Sequence, residues 1–366
     1  MNMQNKNNLK YLNALNKING LGPQKMRRLM SHFNSPEEIW NASREALVKS
    51  EIPEALVSKI ISERQEINPD QEWEKMEKEN VQMLIETDPE FPQRLKEIPT
   101  APYIIYIKGE IDLNAPMISI VGSRKFTPYG SQIAHAFAKD LTHAGITVVS
   151  GMALGIDAIA HQGALDARGK TIAVLGNSLD DKNIHPRNNF NLSREIIQQG
   201  ALLSEYPIET SAGNIGNFPA RNRIIAGLSL GTLAIEAGEK SGTLITANLA
   251  LEFNREVFAV PGSIFSPQSI GTHSLLKRGA KLITSIQDIL EEFDLNIGHL
   301  PAVEKQKIPA SEEEKIILKL LSPTPTHIDN LGKLSKLGTS VVASTLILME
   351  LKGWAKNIGG QNYISL

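Results

Sequence analysis

No cysteine occurs in the 366 residues, which excludes disulfide bridges and thiolate metal sites and fits a reducing compartment. No apolar run approaches the length of a membrane span, and the opening MNMQNKNNLK lacks the apolar core of a secretory signal. A soluble cytoplasmic protein with no membrane partner is therefore expected. There is no excess of positive charge either, since 38 lysines and arginines face 40 aspartates and glutamates. The chain as a whole does not attract polyanions, so any nucleic-acid role must come from a local cluster of cations. Several signatures of chemistry are also missing. No GxGxxG follows the first apolar strand of the central region, no GxxxxGK[ST] occurs, and there is no HExxH or GxSxG. Dinucleotide, P-loop, zinc-protease and serine-hydrolase readings lose their anchors, and no metal, cofactor or catalytic residue is expected.

What is present is a glycine-punctuated alternation, clearest over Ile118–Ala164. The apolar run Ile118–Val121 meets Gly122, Ser123, Arg124 and Lys125. Thr127-Pro128 then reads as an N-cap followed by the first helical residue. Ala134, Phe137, Ala138 and Leu141 recur at helical spacing, and Gly145 ends the helix. A second run, Ile146–Val149, leads into Ser150-Gly151, and Gly155-Ile156-Asp157 opens another helix. Further strand candidates are Thr171–Leu175, Ala201–Leu203, Thr232–Ile235, Val257–Val260 and Lys281–Ile283. Near-continuous apolar strands alternating with helices predict an α/β fold, an extended Rossmann-like, doubly wound and mostly parallel sheet of about seven strands.

Residues 1–66 read as a helical module. Ile18-Asn-Gly20-Leu-Gly22-Pro23 followed by Lys25, Arg27 and Arg28 has the form of a helix-hairpin-helix turn, whose glycine amides can face a phosphate; packing on a neighbour is the alternative. Residues 67–295 form the sheet domain, with added strands at Val81–Ile85 and Tyr103–Ile107. The polar, proline-bearing stretch 296–311 reads as a linker. Residues 312–366 offer three helical runs and a hairpin around Gly359-Gly360, a winged-helix pattern. Its third helical run, SVVASTLILMELKG, is mostly apolar with no arginine and one late lysine, which argues against groove reading and for partner or intramolecular packing.

Loops at the carboxyl ends of parallel strands share one edge of the sheet. Arg124, Lys125, Arg187, Arg221, Arg223 and Lys240 all fall in or next to such loops and are expected to converge. Asn188, Asn189 and Asn222 add uncharged donors and acceptors, and Phe190 and Phe218 add faces for base stacking. Gly151, Gly155 and the Ser241-Gly242-Thr243 turn place backbone amides where helices begin. This is the composition of a site for several phosphates in a row. Asp157 and His161 share a helix face, read as a cap and a buried imidazole. Glu205 and Glu236 end strands at the same edge, where they either fix loops or act on a sugar.

The segments IVGSRKFTPYG (120–130), VSGMALGIDAIAHQGAL (149–165), TIAVLG (171–176), LLSEYP (202–207), FPARNRIIAGLS (218–229), EAGEKSGTLITANLALEFNREVFAVPGS (236–263) and GTHSLLKRGA (271–280) stand in an order and spacing that resembles the DNA-processing DprA/Smf family. The resemblance covers about residues 80–366. It implies a non-enzymatic protein that binds and protects incoming single-stranded DNA, forms a homodimer through the Rossmann-like domain, and loads the recombinase RecA during natural transformation. It implies DNA contacts by Arg124 of the GSR segment, Arg187 of the HPRNN loop, and Arg221 and Arg223 of the FPxRNR segment. With their neighbours, the expected DNA-binding set is Gly122, Ser123, Arg124, Lys125, Gly151, Gly155, Arg187, Asn188, Arg221, Asn222, Arg223, Lys240, Ser241, Gly242 and Thr243. One loop departs from the family pattern: Gly176-Asn177-Ser178-Leu179-Asp180 lacks the second glycine, and His185 replaces tyrosine before Pro186. A rival reading is a nucleotide-processing enzyme of the phosphoribohydrolase type, of which Ser241-Gly242-Thr243 with Glu236 is a partial echo. A third is a double-strand reader that uses the tail.

Overall fold

Proline and small polar residues set the start of most of the early helices. The computed structural model describes residues 3–213, 216–294, 311–322, 326–351 and 354–365. It opens with α1 (Met3–Asn16), α2 (Pro23–His32), α3 (Pro36–Asn41), α4 (Arg44–Lys49), α5 (Glu54–Glu63) and α6 (Pro69–Lys78). Ser35, Ser43 and Asn68 cap α3, α4 and α6 through their side-chain oxygens, and α2, α3 and α6 each begin with proline.

The sheet region follows as β1 (Gln82–Ile85), α7 (Gln93–Lys96), β2 (Ile104–Gly109), β3 (Met117–Val121), α8 (Pro128–His143), β4 (Thr147–Ser150), α9 (Ile156–Asp166), β5 (Thr171–Val174), α10 (Phe190–Gln199), β6 (Ala201–Ser204), α11 (Asn217–Leu228), β7 (Gly231–Ala234), α12 (Gly242–Glu252), β8 (Glu256–Ala259), α13 (Ile270–Lys277), β9 (Lys281–Leu282) and α14 (Gln287–Glu292). The nine strands run in the order β1-β2-β6-β5-β4-β3-β7-β8-β9. The seven from β6 to β9 are mutually parallel, with Ser119 of β3 level with both Val149 of β4 and Thr232 of β7. The expected doubly wound sheet is thus present. β2 pairs antiparallel with β6, and β1 with β2, which extends it by two strands.

Every residue of β3, β4, β5, β6 and β7 is buried, as a sheet covered on both faces requires. On one face Ile118, Ile120, Val148 and Leu233 pack against Ala134, Phe137, Ala138 and Leu141 of α8 and Ala160 of α9. On the other, Val121, Val149, Ile172 and Val174 meet Ile224, Ile225 and Ala247 of α11 and α12. Each large aliphatic or aromatic side chain so buried contributes roughly 1.5–3 kcal/mol.

The boundary expected near residue 66 is not a boundary in packing. Leu12, Leu15, Met26 and Leu29 of α1 and α2 belong to the same core as Met83, Tyr106, Leu175, Ile196 and Leu202 of the sheet region. The buried Tyr106 hydroxyl donates to Asn13 Oδ1 at 2.9 Å and accepts from Asn16 Nδ2 at 3.1 Å. The antiparallel strands carry apolar side chains on a face that needs cover, and the N-terminal helices supply it. The chain divides into two compact units, Met1–Ile297 and Gly298–Leu366. The expected linker lies, but for residue 311, outside the described residues.

The second unit contains α15 (Glu312–Leu320), β10 (Thr326–His327), α16 (Ile328–Ser335), α17 (Thr339–Leu351), β11 (Ala355–Gly359) and β12 (Asn362–Ser365). Ile317, Leu331, Val342, Leu346 and Met349 form its core. β10, β12 and β11 make a three-stranded antiparallel wing, of which β10 was not expected from the sequence.

Candidate nucleic-acid interface

β3 lies between β4 and β7, so the chain leaves it first to one side and later to the other. This strand order opens a crevice at the carboxyl ends of the strands, the general ligand position in doubly wound folds. Here the crevice is a cleft of about 460 Å³. Its walls are Gly122, Ser123, Arg124 and Lys125 after β3; Phe218, Arg221 and Asn222 of α11; and Lys240, Ser241, Gly242 and Thr243 after β7.

The turn after β3 is shaped by three polar clamps. The Ser123 amide donates to the Glu236 carbonyl at 2.8 Å, and the Lys125 amide donates to Ser123 Oγ at 3.0 Å. Both carboxylate oxygens of the buried Glu236 are taken by Thr127, its amide at 2.9 Å and its hydroxyl at 2.5 Å. Thr127 in turn caps α8 through the Gly130 amide. Glu236 therefore acts as a loop-fixing carboxylate. Gly155 lies behind this turn at φ +91°, and a Cβ there would stand 2.8 Å from the Arg124 Cα, so only glycine lets the two loops touch. The result is that Arg124 and Lys125 are exposed on a fixed turn. Neither has an acidic partner among the described residues, and the same holds for the exposed Lys240 across the cleft. Gly242 opens α12 with free space around it, and Ser241 caps that helix through the Thr243 amide, so the positive end of α12 faces the cleft.

Arg221 is different. It is 6% exposed, and its Nη1 donates to the carbonyls of Gly151, at 2.6 Å, and Val174. Its guanidinium packs so closely on Gly151 that any side chain at that position would collide with it. Beneath it Asp157, also buried, accepts the Gly151 amide at 3.2 Å and further amides from Gly122 and Ala153. Burial raises the Asp157 pKa and draws Arg221 down to about 10, and each charge opposes the other's shift. Arg221 thus ties the ends of β4 and β5 together as the floor of the cleft. His161, fully buried one turn along α9, meets Thr171 Oγ1 at 2.7 Å. That hydroxyl donates to the Val148 carbonyl, so the imidazole proton sits on Nδ1, and Nε2 has no partner among the described residues. Burial, with Arg221 nearby, lowers this histidine to a pKa of about 3.

Arg223 and Arg187 are not brought to the cleft, contrary to expectation. Residues two apart on an α-helix point ~200° away from each other. With Arg221 turned inward under the cleft, Arg223 leaves the other side of α11 and is clasped by Glu205. Burial pushes Glu205 upward, and Arg223 counters that shift. Arg187 is exposed, but its Nη1 donates to the Asp181 carbonyl at 2.6 Å and its guanidinium lies 4.5 Å over the Phe190 ring. Phe190 is thereby covered by two arginines, Arg187 and Arg194, rather than presented to a ligand. Asn188 is exposed with no place in the cleft, and Asn189 anchors its loop to the Met152 carbonyl at 2.8 Å. The departing loop is internal: Asn177, Ser178, Leu179 and Asp180 are all buried in a hydrogen-bonded knot with Asn183, Ser204 and Thr210. Its neighbour His185 does reach the site. With Gly151, Leu154, Arg124 and Phe218 it lines a pocket of about 70 Å³ adjoining the cleft, its ring 5.7 Å from that of Phe218.

The hairpin cations are each engaged by groups of this chain. Lys25 Nζ donates to the Gly20 carbonyl, Arg27 pairs with Glu86, and Arg28 donates to the Glu51 carbonyl. Among the cleft-lining groups that escaped the sequence reading are Gln268, Ile245 and Thr246. The signal for Gln268 was available, since its segment follows the carboxyl end of β8. Among the described residues there is no cluster of metal ligands and no helix long and apolar enough to cross a membrane.

Residues 82–294 match the family model described as DNA recombination-mediator protein A, and residues 301–361 match that of the DprA winged helix domain. The chain belongs to the DprA/Smf family. It is 36% identical to protein Smf of Synechocystis over 96% of this chain and 98% of that one. It is 43% identical to DNA processing protein DprA of Bacillus subtilis over 56% of this chain and 68% of that one. The crystal structure of DprA from Streptococcus pneumoniae superimposes with a TM-score of 0.67 at 34% identity, covering 77% of this chain and 97% of that one. DprA of Helicobacter pylori, described with a single-stranded-DNA binding mode, superimposes with a TM-score of 0.52 at 33% identity over 58% of this chain and 95% of that one.

Proposed function

We propose that this chain binds single-stranded DNA along the switch-point cleft, and does so as a binding protein rather than an enzyme. The observation that carries the reading is the convergence of Arg124, Lys125 and Lys240, exposed and free of acidic partners, on one cleft into which the N-terminus of α12 also opens. Such a set neutralises successive phosphates without reading bases, so affinity is sequence-tolerant and salt-dependent. Phe218, half-buried beside His185, supplies a face for one base. Gly122, Ser123, Asn222, Ser241, Gly242 and Thr243 complete the contact surface through amides and hydroxyls, while Gly151, Gly155 and Arg221 position it from below. Arg187, Asn188 and Arg223 take no direct part in this reading.

In the cell the protein protects incoming single strands and hands them to the RecA recombinase during transformation, working as a cytoplasmic homodimer, as the family resemblance implies; the recombination-mediator family and the single-stranded-DNA binding mode of the Helicobacter relative support the DNA-handling part of this reading. The enzymatic alternative loses its carboxylate, because both oxygens of Glu236 are committed to Thr127. The tail is not the DNA reader in this account: α17 exposes Val341, Ile347 and Leu348 and offers no arginine. The test is a titration with single-stranded oligonucleotides of increasing length, competed with duplex. Binding that favours the single strand and weakens steeply with salt is expected. Equal affinity for duplex, or release of base from nucleoside monophosphates, overturns the reading.

A further inference from the structure

Beside the cleft, the loop after β8 carries two consecutive large apolar side chains in water: Ile264 is 79% and Phe265 89% exposed. A phenylalanine almost wholly in solvent stabilises nothing in the fold, so its presence on an ordered loop asks for another use. The loop is held from three sides. Tyr129 of α8 donates its hydroxyl to the Pro261 carbonyl at 3.0 Å, His273 of α13 lies 3.1 Å from the Gly262 carbonyl, and the Ser266 amide closes a turn on the Ser263 carbonyl at 3.0 Å. Phe265 is therefore presented by a fixed platform. That platform belongs to the cleft: Gln268 lines the cleft wall, and its carbonyl accepts the Ala237 amide at 2.7 Å. Phe265 and Gln268 are three positions apart, a reach of at most ~11 Å along the chain.

Charge decides what can lie there. Between Glu256 and Asp288 the sequence contains no acidic residue, while the exposed Lys277 and Arg278 fall within that stretch; Lys281, also there, is paired with Glu256 and Glu292. The loop itself therefore carries no carboxylate that would repel a polyanion leaving the cleft. We infer that the Ile264–Phe265 platform is a stacking site for a nucleobase of the bound strand, beyond the phosphates held by Arg124, Lys125 and Lys240. The inference rests on the single-strand reading above and extends it from phosphates to bases. Aromatic faces next to a cationic groove are the usual means of holding single strands, and they are tolerant of base identity. Stacking adds no phosphate contact, so the platform strengthens binding without changing its salt dependence.

The test uses the full chain and homopolymeric single strands from a few nucleotides to a few tens, with Phe265→Ala, Phe265→Trp and Arg124→Ala. Phe265→Ala is expected to weaken long strands by about tenfold. It should leave the shortest strands and the salt slope unchanged, and Phe265→Trp should restore affinity. A salt slope lowered by Arg124→Ala together with an unaffected Phe265→Ala overturns the stacking site alone. No effect of either substitution overturns the cleft reading on which it rests. Phe265→Ala that alters the oligomeric state and leaves affinity per protomer intact makes the platform a protein contact, which also contradicts the inference.

Discussion

Two sets of cations stand within a few residues of each other in this fold, and they do different work. Arg124, Lys125 and Lys240 are exposed, unpaired and gathered on one cleft. Arg221 and Arg223 sit on α11 next to it, and both are closed off, the first by the carbonyls of Gly151 and Val174 above Asp157, the second by Glu205. Charge count alone treats the five as equals. Solvation separates them: an exposed cation keeps its capacity to release counterions from a phosphate backbone, whereas a buried one has already spent its charge on the fold. The first set is for a ligand and the second for the shape of the site.

The sharpest way to break this contrast is Arg221→Ala. It removes the guanidinium beside the buried Asp157 and strands two carbonyls, so unfolding free energy should drop by about 3–5 kcal/mol in a denaturant titration. A loss within ~0.5 kcal/mol would mean that Arg221 is no structural group. Next in size is a pH effect at His161, whose pKa falls from 6.5 to about 3 on folding. Between those values the unfolded chain binds a proton that the folded chain refuses. Stability therefore falls as pH drops through that window and is unaffected by this group above about 6.5. His161→Gln should flatten the pH dependence there by up to ~1.4 kcal/mol per pH unit, read from unfolding curves taken across the window. Arg124→Ala sharpens the contrast from the open side: single-strand affinity at low salt should fall by about tenfold while stability stays within ~0.5 kcal/mol. Smallest is the paired change Arg223→Met with Glu205→Leu. A largely buried ion pair exchanged for apolar groups of similar size costs little, so stability should move by no more than ~1 kcal/mol and DNA affinity not at all.

Much of the fold was legible because burial on both faces leaves a plain mark, runs such as Ile118–Val121 and Thr171–Leu175 with glycine at their ends. The cleft was legible for the same reason, since parallel strands send their following loops to one edge. What the sequence did not show was facing. FPARNR was read as part of a loop after β6, where Arg221 and Arg223 could lie together; it is the first half of α11, where helical geometry divides them. The inward turn of the departing loop was equally hidden, because the partners that bury Asn177 and Ser178 come from residues as distant as Thr210. The shared core of α1, α2 and the antiparallel strands depends on tertiary packing that an amphipathic pattern cannot specify. Reading the helical register of every segment that follows a strand end would have found the Arg223–Glu205 pair's side of α11.

The most direct test of the division between open and closed cations is the salt dependence of single-strand binding, measured side by side for the triple variant Arg124→Ala, Lys125→Ala, Lys240→Ala and for the Arg223→Met, Glu205→Leu variant. With ~0.7 of slope for each phosphate contact on a single strand, the triple variant should lose ~2 units of log affinity per log salt, and the paired variant none. An unchanged slope in the triple variant, or an equal loss in both, would contradict the account.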